Sequence, residues 1–545
     1  MFFVFRKNLW NNRLNTFRQN ESMEIKREAL VNQISDPSTI WDLIIIGGGA
    51  TGLGVAVDAA SRGFKTLLLE QSDFAKGTSS RSTKLVHGGV RYLAQGNIGL
   101  VVEALRERGI LLRNAPHLVR NESFIIPNYS WLNAVFYSVG LSVYDLLAGK
   151  RSFGRSRLIS NHELIRRIPN IQQKGLKAGV LYHDGQFDDA RLAVSLALTA
   201  IEQGATLLNY FRVTSLSKQG NKINGLAVTD LETSISYNLK AKTVINATGV
   251  FVDEILVMDA PEADPMVRPS QGVHLVFDKS FLGNHDALMI PKTKDGRVLF
   301  AIPWHDRTLI GTTDTPLDAH QMEPKALEEE IQFILDTSAV YLTKIPTRKD
   351  VLSVFAGLRP LAAPQGESQK TKEISRSHKL MLSPSGLVTI TGGKWTTYRK
   401  MAEDTVDLAI QSGGLPKRLC KTKTLYLHGC RESVDWKDPF FVYGSDAISV
   451  KALTRENPAW KEVLDPRLPY IRAEIIWAVR HEMARRIEDV LARRTRALFL
   501  DARAAMAMAP VVAHLMAGEL NKDETWEKEQ VLSFNSIAKN YLLND

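Results

Sequence analysis

Residues 42–52 constrain the fold more than any other part of the chain, because an apolar run leads directly into the pattern Gly-x-Gly-x-x-Gly. In a strand–turn–helix unit, Gly47 permits the tight turn, Gly49 lets a pyrophosphate approach the backbone, and Gly52 lets the helix pack closely on the strand. The helix N-terminus then faces the anionic phosphates. A second apolar run ends at Glu70, a position where a carboxylate accepts hydrogen bonds from a ribose. The segment therefore predicts a βαβ unit that binds a cofactor with an ADP moiety.

The composition is that of a large globular protein with an excess of positive charge. The chain has 545 residues, 44% of them hydrophobic, and a formal net charge of +10 at pH 7. This length predicts about three to four domains. The charge indicates an anionic partner, which is a phosphorylated substrate, an acidic membrane surface or a nucleic acid. Cys420 and Cys430 are too few for a disulfide framework and favour a reducing compartment.

The N-terminal residues resemble a targeting segment. Residues 1–20 contain four basic side chains and no acidic one, whereas Met23 is an alternative start of the chain. We therefore expect residues 1–20 to be disordered or weakly associated with a membrane, with organelle targeting as the alternative, within an N-terminal extension at residues 1–40.

A second segment without charge lies at residues 123–144, where Trp131 and Phe136 stand among Leu and Val. Pro127 and Asn128 make it a poor membrane-spanning helix, so no transmembrane helix is expected. Two interpretations remain: a helix or strand pair buried in the core, or a segment at the membrane interface.

Further along the chain, the pattern predicts a nucleotide-binding domain that is interrupted and then resumes. Residues 77–84 form a loop rich in Ser and Thr, and buried strands are predicted at 244–249 and 387–391. Between 268 and 313 the pattern changes to alternating strands, which predict an inserted antiparallel sheet. After Pro416 the composition shifts to Arg-rich helices, notably 475–500 and 502–516, which predict a separate helical domain.

Several motifs in this order resemble those of the FAD-dependent glycerol-3-phosphate dehydrogenase family, a branch of the D-amino-acid-oxidase-like flavoproteins. They are GTSSRSTKLVHGGVRYL at 77–93, IGTTDT at 310–315, GLRP at 357–360, GGKWTTY at 392–398, and HEMAR at 481–485 with DAR at 501–503. The resemblance covers residue 42 to about residue 516. It implies oxidation of sn-glycerol 3-phosphate to dihydroxyacetone phosphate by hydride transfer from C2 to N5 of FAD, with the electrons passed to a membrane quinone.

The fold that the resemblance implies is an α/β FAD-binding domain, Rossmann-like and of the glutathione-reductase type, with an inserted antiparallel-sheet substrate domain and a C-terminal all-α domain. It divides the chain into an extension, an FAD-dependent oxidoreductase domain and a helical domain, at 1–40, 41–415 and 416–545. FAD-binding segments are expected at 41–120, 186–260 and 350–415, and substrate or cap segments at 121–185 and 261–349. Because the nucleotide-binding segments lie far apart, as though wrapping one long cofactor, FAD is favoured over NAD by analogy of fold.

The resemblance also implies which residues contact FAD. These are Gly47, Gly49, Ala50, Thr51, Gly52, Glu70, Thr78, Ser79, Ser80, Lys84, Leu85, His87, Val213, Ala247, Thr248, Gly249, Gly392, Gly393 and Lys394.

For the substrate, the family motif implies a cationic cluster that holds phosphate. Its members are Arg91, Arg359 and Lys394, with Tyr92 and Thr396 adding hydrogen bonds. His274, in the middle of a predicted strand, is expected to contact the substrate as a base or as a ligand of its hydroxyl, with an ordinary sheet histidine as the alternative. His274, Arg359 and Lys394 are the expected catalytic residues.

The late Arg-rich segment is expected to be a solvated, ion-paired helical face, with contact to anionic lipid or a partner subunit as the alternative. It contains Arg485, Arg486, Arg493, Arg494 and Arg496 with Glu482, Glu488 and Asp489. No metal site is expected, because the HEMAR motif lacks the second histidine of His-Glu-x-x-His.

The expected partners are sn-glycerol 3-phosphate, a membrane quinone and an anionic membrane surface, without nucleic acid; a homodimer is compatible with the resemblance. The expected location is cytoplasmic, peripheral on the inner face of a bacterial cell membrane, with the mitochondrial inner membrane as the alternative. Three other functions are compatible with the sequence: a glycerol-3-phosphate oxidase that reduces O2 to H2O2, an amine or sarcosine oxidase, and a flavin-bearing binding or assembly protein.

Overall fold

The computed structural model describes residues 24–89, 96–149, 152–293, 296–362 and 378–543. Two large β-sheets organise this part of the chain. The first, the parallel sheet, has in spatial order the strands His378–Leu382, Val388–Gly392, Ser236–Asn246, Ile40–Ile46, Thr66–Glu70 and Thr206–Asn209. All of them are parallel except the edge strand His378–Leu382, which is antiparallel to its neighbour. A hairpin extends it from the strand Ser236–Asn246 and consists of Phe211–Gln219 and Lys222–Asp230.

The strand Ile40–Ile46 shows that this sheet is covered on both faces. Leu43, Ile44 and Ile45 are completely buried, as is typical of parallel strands between layers of helices. The chain continues through the glycine turn into the helix Ala50–Ser61, against which the helices Asp189–Glu202 and Tyr398–Ser412 pack. It then returns as the strand Thr66–Glu70, parallel to the first. The predicted βαβ unit is confirmed.

The second sheet, the antiparallel sheet, is inserted between segments of the first. Its strands in spatial order are Thr315–Pro316, Val267–Asp278, Arg307–Gly311, Leu299–Trp304, Ala287–Ile290, Val119–Asn128, Ala178–Phe187 and Leu85–Val86, with Arg157–Ser160 beside Ala178–Phe187 and Ser353–Ala362 beside Val267–Asp278. One pair, Ala287–Ile290 with Val119–Asn128, is parallel. The alternating strands predicted between 268 and 313 are confirmed.

The expected domain boundary at residue 350 differs from the structure. The strand Ser353–Ala362 falls in the predicted FAD-binding segment 350–415, but it pairs with Val267–Asp278 over ten positions. Val354 and Ala356 are buried in the same core as Val273 of the partner strand. Residues 353–362 therefore belong to the antiparallel sheet, because a long-range pairing decides their place.

The helix Trp131–Ala148 follows a strand of the antiparallel sheet and buries only a narrow stripe. Its buried side chains are Ala134, Leu141, Tyr144 and Ala148. Its exposed apolar side chains are Trp131, Leu132, Val135, Phe136, Val139, Val143 and Leu146. Burial of this segment in the core, one of the two interpretations above, is therefore wrong for most of the helix. By length and composition alone, this helix is long and apolar enough to cross a membrane, which the sequence pattern does not predict.

The C-terminal region is helical with one small sheet, rather than entirely helical. Its helices are Ala447–Glu456, Arg472–His481, Ala497–Leu500, Ala502–Leu520 and Glu524–Ala538, and its strands are Val463–Asp465 and Leu468–Ile471. The single helix predicted over 475–500 is wrong, because the chain turns after His481 and forms a π-helix at Asp489–Arg494. Met483 and Arg496 have φ values of 57° and 67°, which an α-helix does not accommodate.

The remaining helices cover the two sheets. They are Arg27–Ser35, Ile98–Asn114, Asn161–Arg167, Val252–Asp259 and Glu328–Tyr341. The first of them lies in the predicted extension 1–40 and packs on the rest of the fold, since Leu30 and Ile34 are buried and Arg27 forms an ion pair with Asp230 at 3.3 Å. Residues 1–23 lie outside the described part of the chain.

Candidate active-site cleft and cofactor turn

A cleft of about 690 Å³ lies between the antiparallel sheet and the loop that follows the strand Val388–Gly392. Its polar and glycine-rich lining includes Thr78, Arg81, His87, Asp184, Gly272, His274, Arg297, Arg359, Gly392, Gly393, Lys394 and Thr396. Four residues that the sequence predicts for substrate binding, His274, Arg359, Lys394 and Thr396, are thus brought together. The other two, Arg91 and Tyr92, lie outside the described residues.

The glycine turn has the shape that a dinucleotide pyrophosphate requires. A Cβ on Gly52 would lie 1.9 Å from the carbonyl oxygen of Gly47, so only glycine lets the helix approach the turn this closely. Gly47 itself has a φ of 109°, which favours glycine. The helix then begins at Ala50, whose amide donates to Ser79 Oγ at 2.9 Å. This loop and helix N-terminus could hold the phosphates of FAD.

Glu70 ends the second strand of the unit, as predicted. Its two carboxylate oxygens accept hydrogen bonds from the Gly48 amide at 2.6 Å and the Ser72 amide at 2.7 Å. Burial raises the pKa of the Glu70 carboxyl, and these two amides oppose the shift. Each oxygen retains acceptor capacity, so Glu70 could also accept from the ribose of FAD.

Other predicted FAD contacts lie at the strand end next to the glycine turn or in the hairpin of the parallel sheet. The carbonyl of Ala247 would lie 2.7 Å from a Cβ on Gly47, so the strand end at residues 246–249 closes one side of the turn. Thr248 is held there by a hydrogen bond from Oγ1 to Asn246 Oδ1 at 2.7 Å. Val213 is buried in the hairpin strand Phe211–Gln219.

The loop at residues 78–87 connects the turn to the cleft. Thr78 Oγ1 donates to the carbonyl of Leu358 at 2.6 Å, and the Ser79 carbonyl accepts from Trp395 Nε1 at 2.9 Å. Both contacts reach segments that line the cleft. Thr78, Leu85 and His87 line it as well, so this loop can follow FAD from its phosphates to its ring.

Lys84 faces the interior, and it is not among the cleft-lining residues. Its Nζ donates to the Ser80 carbonyl and to Asp189 Oδ2, both at 2.7 Å, and lies over the rings of Trp304, Phe355 and Phe499. Burial lowers the pKa of Lys84 to about 7, although Asp189 opposes the shift. These contacts make Lys84 a support of the loop, and its predicted contact with FAD stays a prediction.

His274 lies mid-strand as predicted and is 2% exposed. Its Nε2 is 3.0 Å from Thr83 Oγ1, and its ring stacks on Phe355 with the centroids 5.0 Å apart. Burial, with the charges of Lys84 and Arg359, holds the pKa of His274 well below its usual value. The imidazole is therefore neutral at pH 7, with one nitrogen able to accept a hydrogen bond.

Arg359 projects from the edge of the cleft and is fixed by backbone and side-chain acceptors. One terminal nitrogen donates to the Gln271 carbonyl at 3.1 Å and to Asp314 Oδ1 at 3.2 Å. The other donates to Thr312 Oγ1 at 3.1 Å and to the Thr313 carbonyl at 2.9 Å. Because the two terminal nitrogens of the guanidinium already donate to four acceptors, Arg359 supplies a positive charge at a fixed position rather than a bidentate pair of hydrogen bonds.

Thr396 links the cleft-lining loop at Lys394 to the loop at His87. Its Oγ1 accepts from the His87 amide at 3.3 Å and donates to the His87 carbonyl at 3.4 Å. Thr396 is buried. Its hydroxyl is thus already engaged with the backbone, and the geometry gives it a supporting place beside Lys394.

Two arginines of the cleft are absent from the sequence predictions. Arg81 donates to Glu323 Oε2 at 2.6 Å, which compensates its charge. Arg297 also lines the cleft, with its guanidinium carbon 5.4 Å from the centroid of the Phe333 ring. In the sequence, Arg297 directly follows Gly296 and precedes a predicted strand. This position could have indicated a functional residue, since loop residues positioned by a rigid scaffold often carry function.

The Arg-rich segment is ion-paired but not solvated, so that expectation is wrong for Arg493, Arg494 and Arg496. Each of the three is 1% exposed. Arg493 and Arg494 donate to the buried carboxylate of Asp73. Arg496 donates to the Ser80 carbonyl at 2.9 Å and to Asp189 at 3.1 Å. The C-terminal region is thereby bonded to Asp73 and to the loop at residues 78–87.

Comparison with known proteins agrees with this geometry. Residues 42–399 match the family model described as FAD dependent oxidoreductase, and residues 390–528 match the C-terminal domain of alpha-glycerophosphate oxidase. The mitochondrial glycerol-3-phosphate dehydrogenase of Schizosaccharomyces pombe is 39% identical over 564 residues, which cover 91% of this chain and 87% of that protein.

Two solved structures share the architecture. The glycerol-3-phosphate dehydrogenase from Bacillus halodurans, complexed with FAD, is 30% identical with a TM-score of 0.78, and the match covers 95% of this chain and 97% of that one. The L-alpha-glycerophosphate oxidase from Mycoplasma pneumoniae, with FAD bound, shares the fold at 18% identity and a TM-score of 0.54, over 71% of this chain and 98% of that one. The chain therefore belongs to the FAD-dependent oxidoreductase family, in the branch that contains the glycerol-3-phosphate dehydrogenases, and its cofactor is FAD.

Proposed function

We propose that the protein oxidises sn-glycerol 3-phosphate to dihydroxyacetone phosphate and passes the electrons to a membrane quinone. The observation that carries the proposal is one cleft that combines His274 with the cations Arg359 and Lys394 next to Gly392 and Gly393. The names of the relatives at 39% and 30% identity support the substrate. FAD would be held by the glycine turn at residues 47–52 and the loop at residues 78–87, and it would supply the hydride-accepting redox chemistry.

The cations of the cleft would hold the phosphate. Lys394 and Arg297 would donate to its oxygens directly, and Arg359, fixed by its four acceptors, would contribute positive charge at a set position. Gly272 leaves the space for that guanidinium, because a Cβ there would lie 2.4 Å from a terminal nitrogen of Arg359. Arg91 and Tyr92 stay predictions for the same phosphate.

His274 would orient the C2 hydroxyl. Its ring is held by Phe355 and Thr83, and its low pKa keeps it neutral. A neutral imidazole accepts a hydrogen bond from the hydroxyl but binds a full proton poorly when its pKa lies far below the working pH. We therefore propose positioning of the hydroxyl as the main role of His274, with the hydroxyl proton released to solvent through the cleft as the C2 hydride leaves.

His274→Gln tests this role. We expect kcat to fall less than about tenfold, because glutamine still accepts a hydrogen bond, whereas a lost general base removes about 10² to 10⁴ in rate. The ratio of variant to wild-type kcat/KM should stay constant from about pH 6.5 upward, since the ring is already neutral there. Steady-state assays across pH measure both. A loss of a hundredfold or more would assign His274 as the base instead.

The electron acceptor separates the proposed dehydrogenase from an oxidase. The match of residues 390–528 to a domain named for an oxidase keeps O2 as the second candidate. Turnover with a water-soluble quinone under nitrogen, compared with turnover in air without quinone, decides between them. We expect quinone-dependent turnover and little H2O2; H2O2 formed in equal amount to the product would identify an oxidase.

The helix Trp131–Ala148 would provide the membrane contact. Its exposed face carries Trp131, 57% exposed, and Phe136, 64% exposed, and such amphipathic helices lie in the membrane interface. The net charge of +10 favours anionic lipid. The relatives are named mitochondrial, which favours the mitochondrial inner membrane over a bacterial cell membrane. A homodimer stays a prediction that light scattering can test.

Replacing Trp131 and Phe136 together by serine is expected to weaken binding to anionic liposomes at least about tenfold, because two large apolar side chains no longer enter the interface. Cosedimentation with vesicles of stated anionic content measures the loss. Leu419→Ser with Ile448→Ser is the matched control, since these side chains are 80% and 72% exposed elsewhere on the surface. Equal binding by both double variants would count against this helix as the contact.

A further inference from the structure

A buried chain of hydrogen bonds joins the helix Trp131–Ala148 to the cleft. The hydroxyl of Tyr144 donates to Asp184 Oδ2 at 2.8 Å and accepts from the Gly88 amide at 2.8 Å. Asp184 lines the cleft, and so do His87 and Gly89 on either side of Gly88. Tyr144 and Asp184 are 1% and 2% exposed. One side chain from a surface helix thus contacts two parts of the cleft wall.

The contacts around Asp184 and Gly88 determine how the Tyr144 hydroxyl is bonded. Arg108 donates to Asp184 Oδ1 at 2.6 Å, so the second carboxylate oxygen is the one that Tyr144 orients. A Cβ on Gly88 would lie 2.4 Å from the Tyr144 oxygen, which shows how closely the loop approaches the hydroxyl. Burial, with the neighbouring Asp184, raises the pKa of Tyr144 well above its usual value, so the hydroxyl keeps the proton it donates.

The contact continues toward the cationic side of the cleft. The backbone of His87, next to Gly88, exchanges two hydrogen bonds with Thr396 Oγ1. Thr396 follows Lys394 by two residues, and both line the cleft. A shift of Gly88 would therefore move the loop that carries Lys394, because buried backbone groups tend to keep their partners.

We propose that Tyr144 is a positioning residue of the active site, which fixes residues 87–89 and Asp184 and through Thr396 sets the place of Lys394. The inference rests on the proposed oxidation of sn-glycerol 3-phosphate. Tyr144 touches neither substrate nor FAD in this role.

Tyr144→Phe in the FAD-loaded full chain tests the inference. We expect kcat/KM for sn-glycerol 3-phosphate to fall about tenfold, the size typical of a buried donor left unpaired, with most of the change in KM. The visible circular dichroism of the bound flavin should change as well. Tyr137→Phe is the matched control: it lies two turns earlier on the same helix, and its hydroxyl has no hydrogen bond in the described part of the chain.

A second variant keeps the inference testable if Tyr144→Phe does not fold. Asp184→Asn preserves the shape and is expected to give the same rise in KM, and a double-mutant cycle with Tyr144→Phe should be non-additive, because the two residues share a hydrogen bond. Kinetics and flavin dichroism that match Tyr137→Phe, whatever the melting temperature, would overturn the inference. If the wild type does not oxidise sn-glycerol 3-phosphate, the proposed function fails, while the dichroism of the variants still tests the position of the loop.

Discussion

Replacing Asp73 by alanine is expected to lower the free energy of unfolding by about 3–5 kcal/mol, the range for breaking a buried ion pair by removing one partner. Arg493 and Arg494 both donate to this carboxylate. Burial alone would raise the pKa of Asp73, but the charges of Arg494 and Arg493 outweigh it, and the pKa lies below its usual value. Without Asp73, two guanidinium groups lose their shared counter-charge in the interior. Urea denaturation at saturating FAD measures the change.

Asp306→Ala is the matched control for this variant. Its carboxylate pairs with Lys279 at 2.9 Å, but the two side chains are 71% and 64% exposed. Exposed pairs contribute at most about 1 kcal/mol, and alanine at the φ of 61° of Asp306 adds about 1 kcal/mol of backbone strain, so a loss of at most about 2 kcal/mol is expected. If Asp73→Ala lost no more stability than Asp306→Ala, the ion pairs of Asp73 with Arg493 and Arg494 would not be what stabilises the docking of the C-terminal region.

Gly52→Ala is expected to weaken FAD binding roughly tenfold to hundredfold, as overpacking by about 1–3 kcal/mol does. The new Cβ would lie 1.9 Å from the carbonyl oxygen of Gly47 and must displace the turn that we propose receives the phosphates of FAD. Equilibrium dialysis of the apoprotein with FAD measures the affinity, and the absorbance of the purified protein gives the fraction loaded.

Gly518→Ala provides the comparison, because a Cβ at Gly518 would meet no atom within 4 Å and the residue lies in the helix Ala502–Leu520, a conformation that suits alanine. Its FAD affinity should equal that of the wild type. Undiminished FAD binding by Gly52→Ala would mean that the turn is not where the phosphates bind.

The parts of the fold that local patterns decide could be predicted from the sequence. The apolar run before Gly47 and the one that ends at Glu70 predict the βαβ unit, because a buried parallel strand reads as a continuous apolar run. Around His274, the alternating pattern of the strands predicts the antiparallel sheet. Of the predicted substrate contacts, His274, Arg359, Lys394 and Thr396 meet in one cleft.

The parts that depend on distant partners could not be predicted. Arg494 lies 421 residues from Asp73, so its charge pattern alone indicates a solvated face. Lys84 stands in a loop of polar residues, and only the fold reveals that Asp189 and three aromatic rings enclose it. For the helix Trp131–Ala148, composition shows an apolar segment but not which of its faces has a protein partner.

Anaerobic mixing of the FAD-loaded full chain with sn-glycerol 3-phosphate, followed by the visible flavin absorption, tests the proposed reaction most directly. We expect rapid bleaching with this substrate and none with glycerol at the same concentration, because glycerol lacks the phosphate that we propose the cleft cations hold. A folded, FAD-loaded protein that stays yellow in sn-glycerol 3-phosphate would contradict both the dehydrogenase and the oxidase.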